Sequence, residues 1–172
     1  LVPHVCLYWD IETSGLNPNE ARVLQVGMVF AFPNFDPPRP LERHIVSLGT
    51  ITKTGWLDAD VIVHECDTEE EVLSTFAMII REKDPDFVHV YNGVNFDNPF
   101  MARRAELLDV PDMLFLSRTP MRPCQLREQK LSSGGRGDNK LRYFNFSGRV
   151  NIEQFCFFSV EFTQEPSYKL DH

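Results

Sequence analysis

Asp10 and Glu12 flank Ile11 at the end of the apolar run Val5-Cys6-Leu7-Tyr8-Trp9, and Thr13 follows directly. Successive side chains of an extended strand alternate faces, so both acids point one way while Ile11 turns into the core. Two like charges held side by side raise each other's pKa, and such a pair persists where a hard cation neutralises it. The chemistry this predicts is Mg²⁺ binding. An ordinary pair of sheet-edge carboxylates is the other reading of the same three residues.

A third acid arrives from a different part of the chain. Asp84-Pro85-Asp86-Phe87-Val88-His89-Val90-Tyr91-Asn92-Gly93-Val94-Asn95-Phe96-Asp97 reads as an apolar strand that breaks in an Asn/Gly turn and delivers Asp97 to the threshold of a helix. Asn98 is placed to cap that helix and Pro99 to open it. Asp97 is then either a capping acid or a further ligand, and Asn92 and Asn95 are turn residues or site residues.

Periodicity sketches the elements that must position these acids. Residues 22 to 32 form an apolar run suited to a buried strand, and residues 41 to 48 alternate like a third, making a meander with the first. Asp67-Thr68-Glu69-Glu70 opens a helix in capping-box style, whose apolar face is Val72, Leu73, Phe76, Ala77 and Ile80 and which Pro85 stops. The helix leads into the strand ending at Tyr91. A second helix from Pro99 buries Phe100, Met101, Ala105 and Leu108, with Arg103 and Arg104 read as solvated surface. Residues 33 to 40 and 109 to 142 read as irregular connections. A strand near residues 148 to 152 runs into a last helix, and Glu153 reads as a surface acid. Strands followed by alternating helix and strand give an α/β domain.

Asp10-Ile11-Glu12 and Tyr91-Asn92-Gly93-Val94-Asn95-Phe96-Asp97 resemble the first and second exonuclease motifs of family B DNA polymerases, nearest the replicative, delta-like branch. The Asp84-Pro85-Asp86 lead-in, Ser147-Gly148-Arg149-Val150 and Tyr168-Lys169-Leu170 follow in the same order, so the resemblance covers nearly the whole chain. It implies a ribonuclease H-like 3′-5′ exonuclease fold, a mixed sheet flanked by helices, in one domain over residues 1 to 172. Neither an Asp-Thr-Asp palm motif nor a lysine-bearing fingers helix occurs. The family's third exonuclease motif places an aspartate four residues after a tyrosine, whereas Tyr168 and Asp171 are three apart. The expectation is a domain truncated at its C-terminus, without polymerase palm, fingers or thumb, and weak or inactive as a nuclease by itself.

The activity implied is proofreading: two-metal hydrolysis of the 3′-terminal phosphodiester of DNA, with two Mg²⁺ ions or Mn²⁺ in their place. By the resemblance, Asp10 bridges both ions, Glu12 binds the water-activating one and Asp97 holds the second. Thr13 meets the 3′ hydroxyl, Leu16 is an apolar wedge near the terminal bases, and Asn95 and Phe96 line the single-strand groove. For Leu16 and Phe96 a place in the core is the alternative. The implied partners are the single-stranded 3′ end of a primer, the remaining polymerase domains and replication accessory subunits. A stand-alone exonuclease with the same acidic motifs, or a non-catalytic exonuclease-like domain that binds DNA or a partner, are the competing functions.

Composition agrees with one globular core: 172 residues, 42% hydrophobic, with 14 phenylalanines. No apolar run is long enough to cross a membrane and the first residues lack a signal-peptide pattern, which points to an intracellular setting, the nucleus or a viral replication site. Cys6, Cys66, Cys124 and Cys156 are scattered, without the spacing of a zinc site or disulfide framework. The net charge of −8 conceals an uneven distribution. Between Arg118 and Arg149 eight basic residues face two acidic ones, a balance of +6 that fits a nucleic-acid-facing loop or a solvated one.

Overall fold

In a computed structural model, which describes residues 2–52, 59–119, 121–133 and 137–162, the three expected opening strands form the centre of the sheet. Strand β1 (Cys6–Thr13) buries Leu7, Trp9 and Ile11 and presents Tyr8, Asp10 and Glu12 on its other face. Strand β2 (Val23–Ala31) runs antiparallel to it, setting Asp10 opposite Gly27 and Glu12 opposite Gln25. Strand β3 (Glu42–Leu48) is antiparallel to β2. A further strand, β4 (Val61–Cys66), lies parallel to β3 at the sheet edge. Its half-buried edge position produces no clean alternation, so its sequence gives little sign of it.

Helix α1 (Glu69–Lys83) begins with the expected capping box, in which Thr68 and Glu71 satisfy each other's backbone N–H groups. It buries Val72, Leu73, Phe76, Ala77, Ile79 and Ile80 on one face of the sheet, with Phe76 against Trp9 at 5.1 Å between ring centroids. Asp84 ends it in the left-handed conformation, and Pro85 prevents continuation. Strand β5 (Phe87–Val90) then lies parallel to β1, and after the turn at residues 91 to 96 the chain enters α2 (Asp97–Leu107). Strand β8 (Val150–Glu153), parallel to β5, closes the other edge and runs into α3 (Gln154–Glu161), after the hairpin strands β6 (Leu126–Ser133) and β7 (Gly137–Phe144). The main sheet is mixed and six-stranded, in the order β4-β3-β2-β1-β5-β8.

Three expectations are corrected. The stretch 109 to 142 is not irregular: after a short 3-10 turn, Pro111–Phe115, it builds the antiparallel β6–β7 pair, which packs beside α2. Its Arg127-Glu128-Gln129-Lys130 run has no apolar period to betray a strand, because this two-stranded sheet is separate from the main one. Helix α2 begins at Asp97 rather than Pro99, and Asn98 is helical instead of capping, its Nδ2 donating to the Arg142 carbonyl at 3.2 Å.

Arg104 is the third. Far from being solvated surface, it is buried and donates from Nε and Nη2 to the two oxygens of Glu69, at 2.8 and 2.6 Å. Glu69 Oε1 also accepts from Val23 N, while Arg104 Nη1 donates to the Pro18 carbonyl. One fork therefore ties α2, the start of α1, β2 and the loop after β1 together. Removing one partner strands a buried charge, so Arg104→Ala should lower the unfolding free energy by about 3–5 kcal/mol in urea denaturation. Its half-buried neighbour Arg103 bonds to the exposed Asn19 and Glu106, so Arg103→Ala should change it by no more than about 1 kcal/mol.

Candidate active site

Asp97 is brought to β1 by the divergence of two strands. Pairing between β1 and β5 ends at Tyr8 opposite His89, after which β1 continues straight and β5 breaks into its turn. The Ile11 N–H beyond that point donates to Asp97 Oδ1 at 3.2 Å, so the helix acid takes the place of a strand partner. Ligand sites in α/β sheets form at such strand ends, where neighbouring connections part.

The turn that makes this possible is closely specified. Asn92 has φ of 59° and Gly93 follows it. A Cβ on Gly93 would lie 2.0 Å from a methyl of Val90, so no larger residue fits. Asn95 N donates to the Asn92 carbonyl, Asn95 Nδ2 to the Asn92 side chain at 2.7 Å, and Asn98 N to the Gly93 carbonyl.

Asp97 is only 2% exposed, and its carboxyl is in hydrogen-bond contact with that of Asp10. Burial first, and then the charge of Asp10, push the Asp97 pKa from the ordinary 3.8 to about 7. Asp10 itself is exposed and lines a cleft of about 410 Å³ on the open face of the sheet, beside Gly27, Tyr8 and His89. A Cβ built on Gly27 would meet nothing within 4 Å, so the space across from Asp10 is free. Hard oxygen donors, one of them with its ionisation disfavoured by burial and by the other's charge, suit a divalent ion such as Mg²⁺.

Glu12 shares the face of Asp10 and is exposed, but the structure does not gather it with the other two. Among the described residues no three His, Cys, Asp or Glu side chains stand together closely enough to hold a metal. Tyr168 and Asp171 lie outside the described residues. Thr13 is half-buried and its hydroxyl donates to the Gly15 carbonyl at 2.8 Å. Leu16 is 83% exposed, not a core residue, on a loop pinned by Ser14 to Arg22 bonds and by Arg104 at Pro18. Asn95 is exposed next to the site, whereas Phe96 is half-buried and packs on Phe100 at 5.4 Å.

Two residues near the site had no distinguishing signal in the sequence. Glu153 is half-buried rather than a surface acid, and its carboxylate accepts from the N–H groups of Asn92 and Val94. Arg142, on β7, reaches the Asn95 carbonyl at 3.4 Å. Of the basic stretch, Arg118 and Arg149 are structural. Arg118 pairs with Asp84 and Asp86, and the buried Arg149 pairs with Asp84 while donating to the carbonyls of Leu116 and Pro85. Arg122, Arg127 and Lys140 are exposed, Lys140 pairing with Glu128 at 3.5 Å, and Arg136 lies outside the described residues.

The family described as DNA polymerase family B, exonuclease domain, matches residues 3–172. The DNA polymerase delta catalytic subunit of Drosophila melanogaster is 35% identical over 114 residues, 66% of this chain and 10% of that subunit. That of Dictyostelium discoideum is 27% identical over 157 residues, 88% of this chain and 14% of the subunit. A DNA polymerase of Pyramimonas orientalis virus is 29% identical over 131 residues, 76% of this chain and 10% of the viral protein. The chain thus spans between 10% and 14% of the length of these relatives.

The raised pKa of Asp97 has a consequence for stability. A carboxyl whose folded pKa lies above its unfolded one contributes stability that is fully present below about pH 4 and is lost as pH rises through about 7. Asp97→Asn keeps an acceptor for Ile11 N and abolishes this loss. In metal-free buffer the variant should therefore match its parent near pH 4 and exceed it at pH 8, by up to about 4 kcal/mol, in denaturant titrations across that range.

Proposed function

Because the chain belongs to the exonuclease-domain family of family B DNA polymerases, matched over residues 3–172, we propose that it carries a proofreading site at Asp10 and Asp97. The reaction is hydrolysis of the 3′-terminal phosphodiester of a DNA strand. Its relatives are delta catalytic subunits among others, so the single-stranded end of a primer and the remaining domains of a longer polymerase are its partners in this reading. The nucleus or a viral replication site is the matching location. No helix among the described residues is long and apolar enough to cross a membrane.

The observation that carries the proposal is the contact of Asp10 with the buried Asp97 at the end of β1. Asp10 and Asp97 are the residues to hold two Mg²⁺ ions or their Mn²⁺ substitutes, with Glu12 supplying a further carboxylate from the same strand face. Such ions, when bound, activate water and stabilise the departing 3′ oxygen. Asp97 keeps its place through the Ile11 N–H, and Asp10 presents its oxygens to the open cleft. Leu16, erect on its pinned loop, offers an apolar edge to the terminal base, while Thr13 and Asn95 border the strand end. Phe96 contributes through its packing on α2.

The sheet supports a ribonuclease H-like fold for one exonuclease domain spanning residues 1 to 172. Strands β3, β2 and β1 run in meander order with β2 antiparallel, and β5 and β8 continue parallel to β1. A non-catalytic domain has no need of the acids at positions 10, 12 and 97, all of which are present. A stand-alone nuclease is disfavoured by relatives named as DNA polymerases or their catalytic subunits.

In the full-length protein, Asp10→Ala and Asp97→Ala should abolish release of nucleotides from a 3′-labelled single-stranded oligonucleotide in Mg²⁺ and leave primer extension nearly intact. Degradation at the parental rate would sink the assignment. For the basic stretch, joint neutralisation of Arg122, Arg127 and Lys140 should flatten the salt dependence of DNA binding by about 0.7 log-log units per lost phosphate contact. An unchanged slope would mean that these side chains face only solvent.

A further inference from the structure

Glu153 ends β8 and precedes α3, and both of its carboxylate oxygens are committed to backbone donors. Oε1 accepts from Asn92 N at 2.7 Å and from Phe155 N at 3.0 Å, and Oε2 accepts from Val94 N at 3.1 Å. The bond to Phe155 is the usual duty of a residue capping a helix. The other two cross to a distant part of the chain. Capping alone would use one oxygen and leave the second to water, whereas here the shortest bond goes to the turn before Asp97.

That turn offers converging N–H groups of the kind that otherwise gather an external anion. Asn92 in the left-handed region and the close approach of Gly93 to Val90 aim the N–H groups of residues 92 and 94 at one point, and Glu153 occupies it. The same turn carries the bond from Asn98 N to the Gly93 carbonyl, and so sets where α2 starts and where Asp97 lies.

The arrival of Glu153 depends on register. Strand β8 pairs Val150 with Phe87 and Glu153 with Val90. Its start is held by Arg149, which donates to Leu116, Asp84 and Pro85, and by Val150 N on the Asp86 carbonyl. A slip of one residue would send the Glu153 side chain to the opposite face of the sheet. The Gly-Arg-Val segment thus anchors one end of a short ladder whose other end is Glu153.

We infer that Glu153 is a positioning residue for the nuclease reaction: its carboxylate locks residues 92 to 94 so that Asp97 is held against Asp10 before substrate arrives. This rests on the nuclease reading of Asp10 and Asp97. With both oxygens turned onto backbone N–H groups, Glu153 does not itself serve as a ligand. Loss of the lock leaves two N–H groups without their acceptor and frees Asp97 to drift, and misplacement by about 1 Å can cost about 100-fold in rate.

The test compares Glu153→Gln, Glu153→Asp and Asp10→Ala with the parent in the full-length protein. Gln keeps one acceptor and turns an NH₂ toward the other N–H; Asp keeps both acceptors on a shorter stem. Expected for Glu153→Gln is a fall in kcat of about 10- to 100-fold on a labelled single-stranded oligonucleotide, with KM changed less than about 2-fold. The Mg²⁺ concentration for half-maximal rate should rise, and Glu153→Asp should recover part of kcat. In metal-free Glu153→Gln, amide hydrogen exchange should accelerate at Asn92 and Val94 while the β1 and β2 amides keep their parental rates. An unchanged kcat in Glu153→Gln beside an inactive Asp10→Ala overturns the inference alone, as does exchange that accelerates equally throughout the sheet. An Asp10→Ala protein that still degrades DNA at the parental rate overturns the nuclease reading itself, and this inference with it.

Discussion

A carboxyl group buried against a second carboxyl is the constraint around which this domain is organised. Asp97 is removed from water and set beside Asp10, a placement that raises its pKa to about 7 and favours the protonated form. Hydrogen bonds from its own backbone N–H and from Ile11 offset only part of that cost. The placement is sustained because the Ile11 N–H, the turn after β5 and the start of α2 all specify it from different directions. Unfavourable ionisation of this kind concentrates at functional sites.

The elements that hold the two carboxyls together are fastened elsewhere. Glu69 and Arg104 join α1, α2, β2 and the loop carrying Leu16 through a buried two-pronged pair. On the opposite edge, Asp84 and Asp86 gather Arg118 and Arg149, so that the starts of β5 and β8 and the segment before the β6–β7 hairpin share one charged knot. Both networks leave the open end of β1 untouched. Asp10 there meets solvent while Asp97 behind it is held by a fixed framework, the arrangement that a site needs for access without loss of geometry.

The same networks change the meaning of charge in this chain. Two of the eight basic residues between Arg118 and Arg149 neutralise the acids of the Asp84-Pro85-Asp86 lead-in and have nothing left for a nucleic acid. Arg122, in the turn before the hairpin, and Arg127 and Lys140, on the hairpin that flanks α2, stay outside. A positive segment in an acidic protein therefore divides into a structural part and a surface part, and only burial separates them.

Some features were decided by local chemistry and so were legible in the sequence. Strict alternation placed Asp10 and Glu12 on one face of β1, and a Thr-x-x-Glu box with an apolar helical stripe defined α1. The Asn/Gly turn and the acid behind it announced Asp97, because residues with left-handed backbone and helix starts carry their own signatures. Tertiary structure alone decided the rest. That Asp97 sits beside Asp10 while Glu12 stays apart depends on where β1 and β5 diverge and on the bond from Ile11 N to Asp97, which crosses 86 positions that no periodicity encodes. Arg104 looked like any helix-surface arginine until Glu69 met it, and Glu153 like any exposed acid until strand register brought it to the turn. A charged side chain declares its charge in the sequence, but its burial and its partner are properties of the folded neighbourhood.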